Sequence, residues 1–229
     1  MRPAETSAAW RRGWAKWARR TALFTAAVGL SVPTVSAAGG PGALSLGIAA
    51  GGRAFDAMSV GDVRPQPRGE VIGTVEVAYV MTRNWSGSVS WRFGGSWFDF
   101  TDGLGASGNI KDDSWVIRSF VDRQLHLSGG RRLSLGIGYE YGEARSWVKT
   151  SVSSDEGPHT FTSGGAFRIG LHQAWGSRVE FHAGLEQAIY HAHATDSSLG
   201  NTYNWLGRAF SANVGVRCFI IRGRDEPAP

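Results

Sequence analysis

Eight times between residues 44 and 220 the chain alternates apolar and polar side chains with a period of two, and no other feature restricts its fold as tightly. Successive side chains of an extended strand point to opposite faces, so residues i, i+2 and i+4 share one environment. Leu44, Leu46, Ile48 and Ala50 oppose Ser45, Gly47, Ala49 and Gly51. Val71, Val75, Val77, Tyr79 and Met81 oppose a set holding Thr74 and Glu76, and Val89, Trp91, Phe93 and Trp97 oppose Ser90, Arg92, Gly94 and Ser96. Trp115, Ile117 and Val121 face away from Arg118, Asp122, Gln124 and His126, while Leu133, Leu135, Ile137, Tyr139 and Tyr141 face away from Ser134, Gly136, Gly138 and Glu140. The last three segments set Phe167, Ile169 and Leu171 against Arg168, Gly170 and His172. They set Val179, Phe181, Leu185 and Ile189 against Glu180, His182 and Glu186, and Phe210, Val214, Val216 and Cys218 against Ser211, Asn213 and Arg217.

The polar faces decide which kind of barrel these strands build. A soluble barrel of the lipocalin kind would carry a lysine-rich outer face, yet Lys111 and Lys149 are the only lysines beyond residue 16. The polar faces mix glycine and serine with Glu76, Arg92, Arg118, Asp122, Glu140, Arg168, His172, Glu180, His182, Glu186 and Arg217. Balanced arginine and carboxylate among small residues suits a closed lumen in which charges must pair, because an unpaired one there costs several kcal/mol. The expected fold is therefore all-β, an eight-stranded antiparallel up-and-down transmembrane β-barrel, with a polar network in its lumen. Backbone groups in lipid must all be hydrogen-bonded, and a closed barrel is the one sheet that manages this.

The first forty residues differ from the rest. Six basic residues (Arg2, Arg11, Arg12, Lys16, Arg19, Arg20) precede an apolar run from Thr21 to Val32, then Pro33 and small residues. That order predicts a Sec-type signal peptide over residues 1–38, cleaved after Ala37 or Ala38. Its apolar run is about a dozen residues, short of the roughly 20 that span a bilayer as a helix. The whole chain has 24 basic and 19 acidic residues, and the first 38 hold six and one of these, which leaves 18 of each. The basic balance thus belongs to the targeting segment, and nucleic acid is not an expected partner. Cys218 is the sole cysteine, so no internal disulfide forms.

Residues 83–87, 128–131 and 175–178 predict short turns, and residues 55–70, 101–113, 148–160 and 192–205 predict long polar loops. Short periplasmic turns, long outer loops and both termini in the periplasm follow for an even number of strands. Trp97, Trp115, Tyr139, Tyr141, Trp147, Tyr203 and Trp205 fall toward the loops, and Trp85, Trp91 and Trp175 toward the turns, as two interfacial belts would place them. The expected domains are the signal peptide, a barrel over 39–221 and a short polar periplasmic tail over 222–229.

The pattern resembles the small eight-stranded outer-membrane barrels, the group holding the membrane domain of the outer-membrane protein A type and the Ail-like adhesins. The resemblance covers nearly all of residues 40–221. In the last segment, Asn213-x-Gly215-x-x-Cys218-x-Ile220 resembles the signal read by the barrel-assembly machinery, although that family usually ends on an aromatic residue, whereas this chain has Phe219 nearby, followed by the polar tail 222–229. The resemblance implies a place in the outer membrane of a Gram-negative bacterium. It also implies contact with outer-membrane lipid including lipopolysaccharide, and a role in envelope structure or surface contact.

Two constellations carry chemical alternatives. His126-x-Ser128 with Glu140 downstream resembles the His-x-Ser arrangement of the lipid A deacylase barrels, in which an imidazole activates a hydroxyl nucleophile. That motif continues with Asn where this chain has Gly129, and Ser128 falls in a periplasmic turn. His191-x-His193-x-x-Asp196 has the spacing of a zinc or copper site at the outer rim. Asp102, Asp112 and Asp113 do not make a calcium loop. No cofactor motif occurs. A structural or surface-contact barrel is the leading expectation, a narrow porin-like pore for small solutes the first alternative, and a lipid A-modifying enzyme the second. No loop motif identifies a ligand.

Overall fold

A computed structural model describes residues 39–55, 66–101, 107–150, 154–196 and 201–223. The segment predicted as a signal peptide, residues 224–229 of the tail and the loop tips 56–65, 102–106, 151–153 and 197–200 lie outside these. Eight strands follow in order: β1 (Leu44–Phe55), β2 (Gln66–Thr82), β3 (Trp85–Thr101), β4 (Ser107–His126), β5 (Arg131–Thr150), β6 (Ser154–Trp175), β7 (Val179–Asp196) and β8 (Asn201–Ile221). Each pairs antiparallel with its neighbours in sequence, and β8 closes on β1.

The register sets the geometry. Paired residues run from Leu44 through Tyr79, Gly87, Val121, Ile137, Phe167, Gln187 and Phe210 back to Ala54, ten residues along the starting strand. A shear of that size over eight strands tilts them by roughly 40° and leaves an interior that side chains just fill.

The face that would be a core in a soluble protein is on the outside here. Ile48, Val71, Val89, Ile137, Phe167 and Leu185 are each more than half exposed, and every one points away from the lumen. On β4 this apolar surface runs from Leu125 to Trp115, which at ~3.4 Å per residue and that tilt is roughly 25 Å, the height of a membrane-spanning belt. Trp115 packs edge-on against Tyr141 (ring centroids 6.3 Å apart) at its upper edge. Trp85 and Trp175 mark the turn end, where Trp175 packs on Phe181 at 5.0 Å. Trp91, expected near the turns, instead lies in mid-belt between Val75 and Ile117.

Above the belt the strands continue where the sequence predicted loops. β4 extends up to Ser107, β5 to Thr150, β6 begins at Ser154 and β7 reaches Asp196. Lys111, Asp112 and Asp113 therefore belong to a strand and not to a loop. Polar residues such as Asp113, Arg145 and His191 now stand on the outer face, while apolar ones such as Ala192 and Ala194 stand inside and Leu206 outside, so the apolar-out, polar-in alternation is lost while the backbone ladder goes on. Eight more residues of β4 raise a β-collar by roughly 20 Å beyond the belt. At the turn end the connections are tight, and Gly129, Gly130 and Gly176 supply the positive φ angles of 75°, 69° and 74°.

The depth of the belt has a measurable consequence. Ile137→Arg, at mid-belt, should cost about 2–4 kcal/mol of folding free energy in lipid vesicles, and His191→Arg, at the collar, under about 1 kcal/mol. Equilibrium urea titration of both variants measures this; equal costs would contradict the placement of the belt.

Candidate functional site

The inward faces carry the protein's buried chemistry. Among the described residues six arginines (Arg53, Arg92, Arg118, Arg132, Arg168, Arg217) and six carboxylates (Glu70, Glu76, Asp122, Glu140, Glu180, Glu186) point into the lumen and balance in charge, with the Asp112 carboxyl above them on the same face of β4. They are arranged in tiers.

The lowest charged tier is one unbroken chain of alternating sign. Glu180 on β7 accepts hydrogen bonds from Arg132 on β5 and from Arg217 Nη1 on β8 at 3.2 Å. Arg217 also donates to Glu76 on β2. Glu76 accepts from Arg168 Nη1 on β6 at 2.8 Å, and Arg168 grips Asp122 on β4 with Nε at 2.7 Å and Nη2 at 2.5 Å. Six charges on six different strands thus tie one wall of the barrel to the other. Space for them comes from glycines. A Cβ on Gly136 would sit 2.2 Å from Asp122 Oδ1 and 2.8 Å from Arg168 Cγ, so any side chain there would break the Arg168–Asp122 pair.

A second tier lies above. Glu186 is shared by Arg92 and by Arg118 Nη1 at 2.5 Å, and Ser211 and Asn213 donate to it at 3.2 and 3.1 Å. Phe120 separates the tiers, with the Arg168 guanidinium 4.2 Å above its ring and that of Arg118 at 5.5 Å. Higher still, Arg53 pairs with Glu140 at 3.0 Å and Ser114 donates to Glu70. Ala43, Val80, Ala174 and Phe219 form an apolar floor at the turn end. Thr74, Ser134, His172 and Arg217 line a cavity of about 40 Å³, room for two or three water molecules.

Buried beside it is an arrangement that sequence reasoning missed. Ser134 Oγ is 2.9 Å from His172 Nε2, and His172 Nδ1 is 3.0 Å from Glu180 Oε1. A carboxylate only accepts, so Nδ1 carries the proton and Nε2 receives the serine hydroxyl, the connectivity of a Ser-His-acid triad. The surroundings deny it a reaction. Glu180 is already committed to Arg132 and Arg217, the strand N–H groups are spent on the barrel ladder, and a 40 Å³ space admits no ester or amide. His182, also placed in the lumen network from sequence, stacks on His172 with ring centroids 6.0 Å apart.

No protein-family profile and no curated protein sequence matches the chain. Solved structures do. The outer membrane protein OprG from Pseudomonas aeruginosa superposes with a TM-score of 0.53 at 9% identity, over 80% of this chain and 98% of that one. The attachment invasion locus protein Ail of Yersinia pestis gives 0.44 at 13% identity, over 79% and 99%. The fold is that of the small eight-stranded outer-membrane barrels.

Within this barrel the sequence-predicted catalytic residues do not assemble, and of the predicted metal residues His191 and His193 alone are described side chains. His126 is exposed at the turn end, where its Nε2 donates to the Arg83 carbonyl at 2.7 Å, and Ser128 lies in the β4–β5 turn. Glu140 is eight residues up β5 from Arg132, the partner of His126 in the ladder, hence roughly 25 Å away and inside the lumen on Arg53. His191 and His193 share the outer face of β7, but His193 Nδ1 bonds Asn204 Oδ1 at 2.8 Å, and the Asp196 side chain lies outside the described ones. No metal-binding cluster occurs among the described residues. Arg53, Glu70 and Arg132 join the lumen charges without having been foreseen, because each sits where a strand was expected to have ended.

Removing one partner of a buried pair leaves the other uncompensated, at about 3–5 kcal/mol. Glu186→Ala should therefore destabilise the barrel by that amount, and the triple variant Arg92→Met/Arg118→Met/Glu186→Leu should recover most of it in the same urea titration. A triple variant no more stable than Glu186→Ala would mean that the tier is not held by charge pairing.

Proposed function

We propose that the protein is an outer-membrane barrel closed to solutes, which serves the envelope through the polar collar above its belt and does no chemistry in its lumen. The filled interior carries this reading. Among the described residues, two charged tiers, Phe120 and the Ala43–Phe219 floor occupy the lumen, and the cavity beside them is about 40 Å³, room for a few waters and not for a continuous file. A membrane barrel with a signal-like leader and short turns at one end suits insertion by the barrel-assembly machinery. The collar then stands among the sugars and phosphates of lipopolysaccharide at the cell surface. Its outer face, with Lys111, Asp113, Arg145, His191 and His193, is a stiff strand surface, better suited to a defined contact than a set of floppy loops. The deacylase alternative lacks an assembled site, since His126, Ser128 and Glu140 stand apart.

Single-channel recording of the purified protein in a planar bilayer tests closure, alongside a heat-modifiability gel that reports folding. A folded barrel should stay silent, and so should Glu140→Ala, which removes one pair above an intact lower tier. Steady conductance steps from folded wild-type protein would overturn the reading in favour of a pore.

A further inference from the structure

We propose that the turn end of the barrel holds a binding site for the phosphate group of an anionic glycerophospholipid, formed by Arg83 and Arg123; this rests on the membrane placement above, in which that end faces the inner leaflet. Arg123 is on the outer face of β4, between Val121 and Leu125 and cross-strand from Trp85. Among the described residues Arg123 and Arg208 are the charged side chains flanked along their strands by exposed apolar residues, and Arg123 is the one near the turns. A lone charge at such a position is stable only if its head reaches the interface and meets an anion there. Its guanidinium lies 5.7 Å from the Trp85 ring centroid, stacked toward the turn end.

The turn before β3 completes the site. Arg83, Asn84, Arg123, Leu125 and His126 line an open cleft of about 280 Å³. The cleft is built and not incidental: His126 Nε2 donates to the Arg83 carbonyl at 2.7 Å and Gln124 N to the Asn84 carbonyl at 2.7 Å, pinning the turn onto the end of β4. Neither guanidinium has a carboxylate partner among the described residues. The two acids at this depth among the described residues, Asp122 and Glu180, face the lumen and are held there by Arg168 and by Arg132 and Arg217. Two arginines lining one cleft without an acid among the described residues suit a phosphodiester, which guanidiniums can grip through paired N–H donors. The exposed Leu125 and Trp85 beside them offer an apolar strip for the acyl chain. Elsewhere on the same rim, Arg131 donates to the Ser128 carbonyl at 3.1 Å and Arg222 to Ser177 Oγ at 2.8 Å, so those guanidiniums are already engaged.

Native mass spectrometry of the full protein, titrated with phosphatidylglycerol against phosphatidylcholine, reads occupancy of a single lipid. One phosphatidylglycerol should bind selectively, and Arg83→Gln and Arg123→Gln should each weaken it on the order of fivefold, the worth of one basic residue at an anionic surface. Arg178→Gln/Arg222→Gln, on the far side of the rim, should leave it unchanged. Equal affinity in all variants, or an equal loss in the rim control, would overturn the site. Displacement of the lipid by millimolar inorganic phosphate would mean that the cleft binds free phosphate and not a lipid. Arg83 and Arg123 pair with no other charge among the described residues, so both glutamine variants should fold, as a heat-modifiability gel will show. Protein that fails to insert into vesicles would refute the membrane placement itself, whereas inserted protein without lipid preference would refute the site alone.

Discussion

A guanidinium or carboxylate sealed inside a closed barrel has lost its water, and only an opposite charge in hydrogen-bonding contact makes its presence tolerable. The lower tier meets that demand by sharing: Glu180, Glu76 and Asp122 alternate with Arg132, Arg217 and Arg168, and the inner four of the six each touch two opposite charges. The same requirement explains the inner glycines, since Gly136 leaves room for Arg168 and Asp122 to meet. It also explains why lysine is missing from the lumen: a planar guanidinium can bridge two carboxylates on different strands, as Arg168 and Arg217 do, and an ammonium does so poorly. Belt and network depend on each other. The closed ladder satisfies the backbone in lipid, and closure in turn creates the interior that the charges must fill.

Local connectivity is a poor guide to chemistry inside such a network. Ser134, His172 and Glu180 have the hydrogen-bond order of a hydrolytic triad, yet the acid is held by two arginines and no substrate fits beside the serine. The triad is one strand of the polar packing. In the proposed reading, what the protein offers to other molecules lies at its two ends: the strand collar above the belt, and the cleft lined by Arg83 and Arg123 at the turns.

Much of this was legible in the sequence, for a physical reason. Within the belt one face is lipid and the other lumen, so alternation is strict, and Arg118, Glu140 or Arg217 can be placed inward by parity alone. Beyond the belt the outer face is no longer lipid and polar residues appear on it, so strict alternation ceases to mark where a strand stops. Hence Arg53, Glu70 and Arg132 escaped notice, and residues 107–113 looked like loop. Partner choice was hidden for a different reason. Arg217 meets Glu76 across 141 residues and through the lumen, a contact set by shear and tilt and not by any spacing along the chain. The His126, Ser128 and Glu140 grouping failed on the same ground, since neighbours in sequence were divided between an exposed turn and the interior.

A double-mutant cycle at Arg168 and Asp122 measures the pairing most directly, because this contact is bidentate and anchors the end of the chain. Arg168→Met, Asp122→Leu and the double variant, unfolded in urea from lipid vesicles, should show a coupling of roughly 1.5–3 kcal/mol, the range for residues sharing one ion network. Additive losses, with no coupling beyond about 0.5 kcal/mol, would mean that the lumen is filled by bulk alone and that charge pairing does not hold the barrel closed.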